Sequence, residues 1–303
     1  METNALKVNK KQFSRIGLTM FLATLILNGV QILGAVIGAM IPAVANNGDL
    51  LFLASMLPMY VIGFPLVFLL FKRIPSHMEG EKKAMKLSHL LVAFLICYGC
   101  TYVCNLLATG LTAIIAAIKQ SPVQHVMTAV TSGISPATNF LVLVICAPIM
   151  EELLFRKAII DRTAHYGEGL SLLFSGLLFG LFHGNLVQFS YAFLIGMLFG
   201  FIYIKTRNIL YPIALHVGIN FLGSFVSSII LDVSGAMDIM SITDQAEMMS
   251  AIMENIGGMA IYGLYSLLII GMTIAGIVLF IVNRKKFQVC AGDAVGNVLL
   301  EQL

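Results

Sequence analysis

The sequence predicts an all-α fold, a polytopic membrane helical bundle with about eight transmembrane helices. Three observations predict it. Hydrophobic residues make up 59% of the 303 and charged residues only 11%, with a mean hydropathy of +0.94, whereas a soluble globular chain carries about 25% charged residues. Apolar runs of about 20 residues, the length that spans a hydrocarbon core, recur along the chain. Lys and Arg concentrate in alternate connections between these runs, as they do where every second loop is cytoplasmic.

Taken in order, residues 1–15 form a basic N-terminal segment with Lys7, Lys10, Lys11 and Arg15. The apolar stretch 16–45 is too long for a signal-peptide core, so it is expected to be the retained first span. Residues 50–71 and 90–118 supply the second and third spans, separated by a basic segment, so that 16–136 holds three helices with their loops. Spans four to seven are expected over 137–160, 170–184, 186–204 and 210–231, making 137–231 the core of the protein. An acidic extracytoplasmic segment follows over 232–255, expected as a solvated loop with a short amphipathic helix at the outer interface as the alternative, then the eighth span over 256–282 and a tail over 283–303.

Eight spans place both termini on one side. With that side cytoplasmic, 17 of the 18 Lys and Arg residues lie inside and only Lys119 lies outside, which is the asymmetry that sets orientation. The expected location is a cell membrane, multi-pass, with both termini in the cytoplasm. The short polar segments suggest a bacterial protein. Its surroundings are the lipid bilayer, and no nucleic-acid partner is expected. Of the five cysteines, Cys97, Cys100 and Cys104 share a helix face, but without a second cluster of soft ligands they are expected to be small packing residues.

Three polar pairs interrupt the apolar runs. In span four, Glu152 and Arg156 stand four apart, with the acid N-terminal to the base, so they share a helix face and can pair. Glu151 lies about 100° around the helix from Glu152 and can face a cavity instead. Pro148 is expected to free the carbonyl of Val144 and permit a kink or a water beside the acids. Span five carries Phe179 and His183, and span seven His216 and Asn220, again at i, i+4 spacing. Ionisable groups inside a membrane are costly and mark sites.

A carboxylate near histidines suits water activation. Glu151 would take a proton from a water oriented by His183, and His216 with Asn220 would stabilise the oxyanion formed at an attacked carbonyl. Glu152, Arg156 and Phe179 are expected to support them. Zinc on His183, His216 and Glu151 is the alternative, but the spacing lacks HExxH and Asn is a poor ligand, so metal-free chemistry is preferred.

Glu-Glu-x-x-x-Arg, Phe-x-x-x-His and His-x-x-x-Asn, in this order on separate membrane helices, resemble the motifs of the CPBP family of CAAX proteases and bacteriocin-processing enzymes, also called the Abi family. The resemblance implies an eight-span intramembrane endopeptidase with Glu151, His183, His216 and Asn220 as its catalytic residues. Its substrate would be a membrane-associated peptide or lipidated protein, of CAAX, bacteriocin or signal-peptide type, cleaved near the cytoplasmic side. A non-proteolytic immunity or scaffold protein binding a partner in the same cavity is the second reading. A proton-coupled transporter is the third.

Overall fold

The computed structural model describes residues 2–78, 80–121 and 133–291. Much of the expected polar connection over 119–135, and the tail beyond residue 291, lie outside these. Eight principal helices run through the described residues: α1 (Glu2–Ala39), α2 (Gly48–Phe71), α3 (Leu87–Lys119), α4 (Pro136–Tyr166), α5 (Glu168–Phe182), α6 (Leu186–Thr206), α7 (Leu210–Ser234) and α8 (Ile256–Lys286). All but α5 are long and apolar enough to cross a membrane. Helices are what lipid permits, because each backbone polar group then finds its partner within its own segment. Among the described residues, β pairing is confined to one isolated bridge, Gly167 with Ala291.

The ends of the helices follow local chemistry. Asn47, Ser135 and Asn185 each accept a backbone N–H from the first turn of α2, α4 and α6, satisfying donors that a helix start leaves free. The first span does not run unbroken over 16–45: α1 stops at Ala39, and a separate turn, Pro42–Ala45, begins with a proline. Proline lacks the N–H that would continue the ladder. The acidic segment 232–255 is mostly helical rather than a solvated loop, with short helices Ala236–Ser241 and Gln245–Glu254. Asp244 caps the second of these by accepting the Glu247 N–H at 2.8 Å, a start signal present in the sequence.

Close helix pairs use glycine. Gly176 and Gly196 face each other between α5 and α6, and a Cβ on Gly196 would stand 3.1 Å from the Gly176 Cα. Gly184 sits in the α5–α6 turn at φ +67°, a conformation glycine adopts freely. Gly276 packs α8 against α3 so tightly that a Cβ there would collide with the Leu95 carbonyl oxygen. Gly276→Ala is therefore expected to cost about 1–3 kcal/mol, the usual penalty of overpacking. Gly271→Ala, on the same helix with nothing within 4 Å, should leave the unfolding midpoint in detergent unchanged.

The basic ends of the helices are tied together. Arg162 of α4 donates from Nε to the Ile74 carbonyl at 3.0 Å and from Nη2 to that of Phe71 at 2.8 Å, docking the connection after α2. The Lys205 ammonium meets the Glu168 carboxylate at 2.5 Å, and the Cys290 N–H donates to the same carboxylate at 2.7 Å. These contacts close one face of the bundle. The three motifs lie deeper, on α4, α5 and α7.

Candidate active site

Helix α4 widens in two stretches that flank its acids. Residues Phe140–Cys146 and Leu153–Ile160 are π-helical, and Ala147–Glu152, which carries both acids, lies between them. The wider turn changes what Pro148 does. The Ala147 N–H bonds to the Val142 carbonyl, five residues back, so the carbonyl that proline leaves without a donor is that of Leu143, one residue before the expected Val144. Asn220 of α7 supplies the missing donor, with its Nδ2 2.8 Å from the Leu143 oxygen. The proline and the asparagine thus join α4 to α7 beside the acids. An amide has two N–H donors, and this bond uses one of them.

Glu152 is fully buried, ion-paired on one side and hydrogen-bonded on the other. Arg156 Nε lies 2.8 Å from its Oε2, and His216 Nδ1 lies 2.9 Å from its Oε1. Arg156 is equally buried, and its guanidinium carbon lies 4.7 Å from the Phe179 ring centre and 5.6 Å from that of Phe199. Aromatic faces attract a desolvated cation. Phe179, the first member of its motif, therefore acts on the second member of the first motif. Its ring also stands edge-on to His216 at 5.7 Å.

The hydrogen bonds fix the tautomers. An ionised carboxylate only accepts, so with Glu152 ionised against Arg156 it is His216 Nδ1 that carries the proton. His216 Nε2 then faces Glu151, 3.7 Å from its Oε2. His183 lies one residue past the end of α5, where its Nδ1 is 2.9 Å from the Phe179 carbonyl. A carbonyl also only accepts, which leaves His183 Nε2 without a proton. Here one side chain serves both as a helix-end donor and as a polar group on the cavity wall.

Glu151, His183, His216 and Asn220 line one cavity of about 340 Å³. The imidazole of His216 stands beside Glu151, and His183 shares the same cavity wall. The cavity has further polar walls. Thr101, Tyr102 and Asn105 of α3, Gln188 and Tyr191 of α6, and Ser224 of α7 also line it. Thr101 and Asn105 stand four apart in an apolar run, the same signal that marked the three motifs. Among the described residues no three His, Cys, Asp or Glu side chains are grouped to hold a metal ion.

Residues 133–222 match the family described as type II CAAX prenyl endopeptidase Rce1-like. Neither curated proteins nor solved structures yield a match to the chain. The matched segment begins just before α4 and ends two residues after Asn220, and it contains all three motifs. Over residues 133–222 this polytopic membrane protein thus carries a domain of the Rce1-like CAAX prenyl endopeptidase family, within the CPBP group its motifs resemble.

Proposed function

We propose that the chain is an intramembrane endopeptidase in which Glu151 activates water for attack on a peptide carbonyl. One observation carries this reading: four polar side chains from three helices converge on a single cavity in an apolar bundle, with Glu151 beside a histidine whose far nitrogen is held by a buried carboxylate. Glu151 takes a proton from water, and the hydroxide oxygen bonds to the carbonyl carbon as the C=O electron pair moves to oxygen. His183 Nε2 accepts the water's other hydrogen and orients it. The free N–H of Asn220 donates to the oxyanion.

His216 completes the proton path. The proton on Glu151 can pass to Nε2, 3.7 Å away, giving an imidazolium held between Glu151 and Glu152. That cation stabilises the oxyanion and then protonates the departing amine as the C–N bond breaks. Arg156 pairs with Glu152, and the Glu152 Oε1 accepting from Nδ1 holds His216 in the required tautomer. The proposed substrate is a membrane-associated peptide or lipidated protein, with bacteriocin-like and signal-peptide-like precursors in the same class. No metal takes part in the proposed reaction.

The experiment is quantitative proteomics of membrane peptides from cells carrying the wild type or Glu151→Ala. A precursor should accumulate in the variant and its shorter product disappear. Identical peptide profiles, with the variant present in the membrane at wild-type level, would remove the protease reading and leave a scaffold or immunity protein.

A further inference from the structure

A second cavity lies outside the catalytic site, at the basic ends of the helices. Helices α3 and α8 touch where Gly99 meets Gly276, a Cβ on Gly99 standing 3.1 Å from the Gly276 Cα. Beyond this contact, toward the start of α3 and the end of α8, these two helices and α6 line a cavity of about 410 Å³, within the ~300–1,000 Å³ of sites that hold small ligands. It follows α3 from His89 to Cys97, about 12 Å at 1.5 Å per residue. The catalytic cavity takes the next stretch of α3 and α6, with Thr101 and Asn105 facing Gln188 and Ile195, and the two cavities share no residue.

The second cavity is amphiphilic along its length. Its deep walls, Ile96, Cys97 and Leu198, are buried and carry no charge. Its mouth carries His89, Asn283 and Lys286. Asn283 gives one amide N–H to the Leu279 carbonyl at 2.8 Å and keeps the other. Lys286 is exposed, and two carboxylates of the basic face are committed elsewhere: Glu168 to Lys205 and the Cys290 N–H, Asp161 to Lys157 and the Tyr203 hydroxyl. Among the described residues no carboxylate pairs with Lys86, Lys285 or Lys286. The mouth therefore offers hydrogen-bond donors and positive charge, and the interior offers apolar surface.

We infer that this cavity binds an anionic phospholipid, its phosphate held by Lys286, His89 and the free Asn283 N–H, and an acyl chain lying along Val92, Ile96 and Leu198. Charge complementarity selects that occupant. A basic pocket between membrane helices attracts acidic head groups, and a lysine at a helix end holds its ammonium at headgroup depth while its stem stays in the apolar zone. A zwitterionic lipid brings its own cation to the same mouth and gains less. A peptide segment would leave backbone amides unpaired against the apolar walls. The bound chain would end one turn of α3 from the catalytic cavity, where Thr101 donates to the Cys97 carbonyl at 2.8 Å.

The test is native mass spectrometry of the full chain in neutral detergent, titrated with dioleoyl-phosphatidylglycerol or dioleoyl-phosphatidylcholine. It reads binding alone, so its failure and the failure of the protease reading are separate results. Wild type is expected to retain phosphatidylglycerol about tenfold better than phosphatidylcholine, the size of one or two cationic contacts near a membrane surface. His89→Gln with Lys286→Gln, both exposed, should abolish that preference. Lys72→Gln with Arg73→Gln, exposed on the basic face but outside the cavity, should keep it. Ala93→Phe should fill the cavity and lower retention of both lipids. Equal retention of the two lipids by wild type, or a preference that survives His89→Gln with Lys286→Gln, overturns the inference. So does displacement of phosphatidylglycerol by a prenylated peptide at equal concentration, which would assign the cavity to the lipid of a substrate. The two surface pairs change no packing, so they decide the matter even where Ala93→Phe fails to fold.

Discussion

A Glu151→Gln variant is expected to cleave its substrate about 10²–10⁴-fold more slowly than wild type, the range that one positioned general base contributes. Gln keeps the shape of the side chain and its place on the cavity wall but cannot take the proton from water. Stability should change little. The Glu151 side chain is 17% exposed in the cavity and lies at 3.7 Å from its histidine neighbour, so removing its charge leaves no buried ion unpaired. Rates in detergent or liposomes, read beside the unfolding midpoint, separate lost chemistry from lost fold. A variant that stays folded and retains activity within about threefold would show that another group is the base.

The contrast between the two adjacent acids was legible in the sequence, and its reason is geometric. Neighbours on a helix point about 100° apart. With Arg156 four residues on from Glu152, one acid was assigned an ion pair and the other the cavity. The side chains stand that way, with Glu152 fully buried against Arg156 and Glu151 on the cavity wall. The spans were legible for a related reason, since lipid demands long uninterrupted apolar helices and the positive charges mark their ends.

What was not legible depends on departures from regular helix and on contacts between distant segments. The two π-helical stretches of α4 leave little mark in a pattern of apolar residues, because Phe140–Cys146 is apolar in either register and Leu153–Ile160 is apolar apart from Arg156 and Lys157. Only Pro148 hints at them. The ideal 3.6-residue turn then assigned the orphaned carbonyl to Val144, where the wider turn gives Leu143 to Asn220. The approach of His216 to Glu151 is set by how α7 meets α4, 65 residues away in sequence, which local spacing does not encode. The polar wall of α3 lies before the segment that matches the family. Only the i, i+4 pair Thr101 and Asn105 pointed to it.

Arg156→Ala is the substitution expected to harm the fold most, by about 3–5 kcal/mol, the cost of breaking a buried ion pair by removing one partner. Arg156 is the largest fully buried side chain of the described residues, and its loss also opens the space between Phe179 and Phe199. Glu152 would then face only His216, so it must either take up a proton or draw one onto the imidazole. The first change alters the Nδ1–H···carboxylate bond and the second fills the Nε2 that the proposed mechanism needs free, so activity should fall in the fraction that folds. The paired replacement Glu152→Gln with Arg156→Met removes both charges at similar volume, and should unfold at a higher temperature than Arg156→Ala. It should still lack activity, because a neutral amide no longer favours the imidazolium at His216. If Arg156→Ala instead unfolds within a degree or two of wild type in detergent, the buried pair is not what holds α4 against α5 and α6, and the aromatic packing around it is.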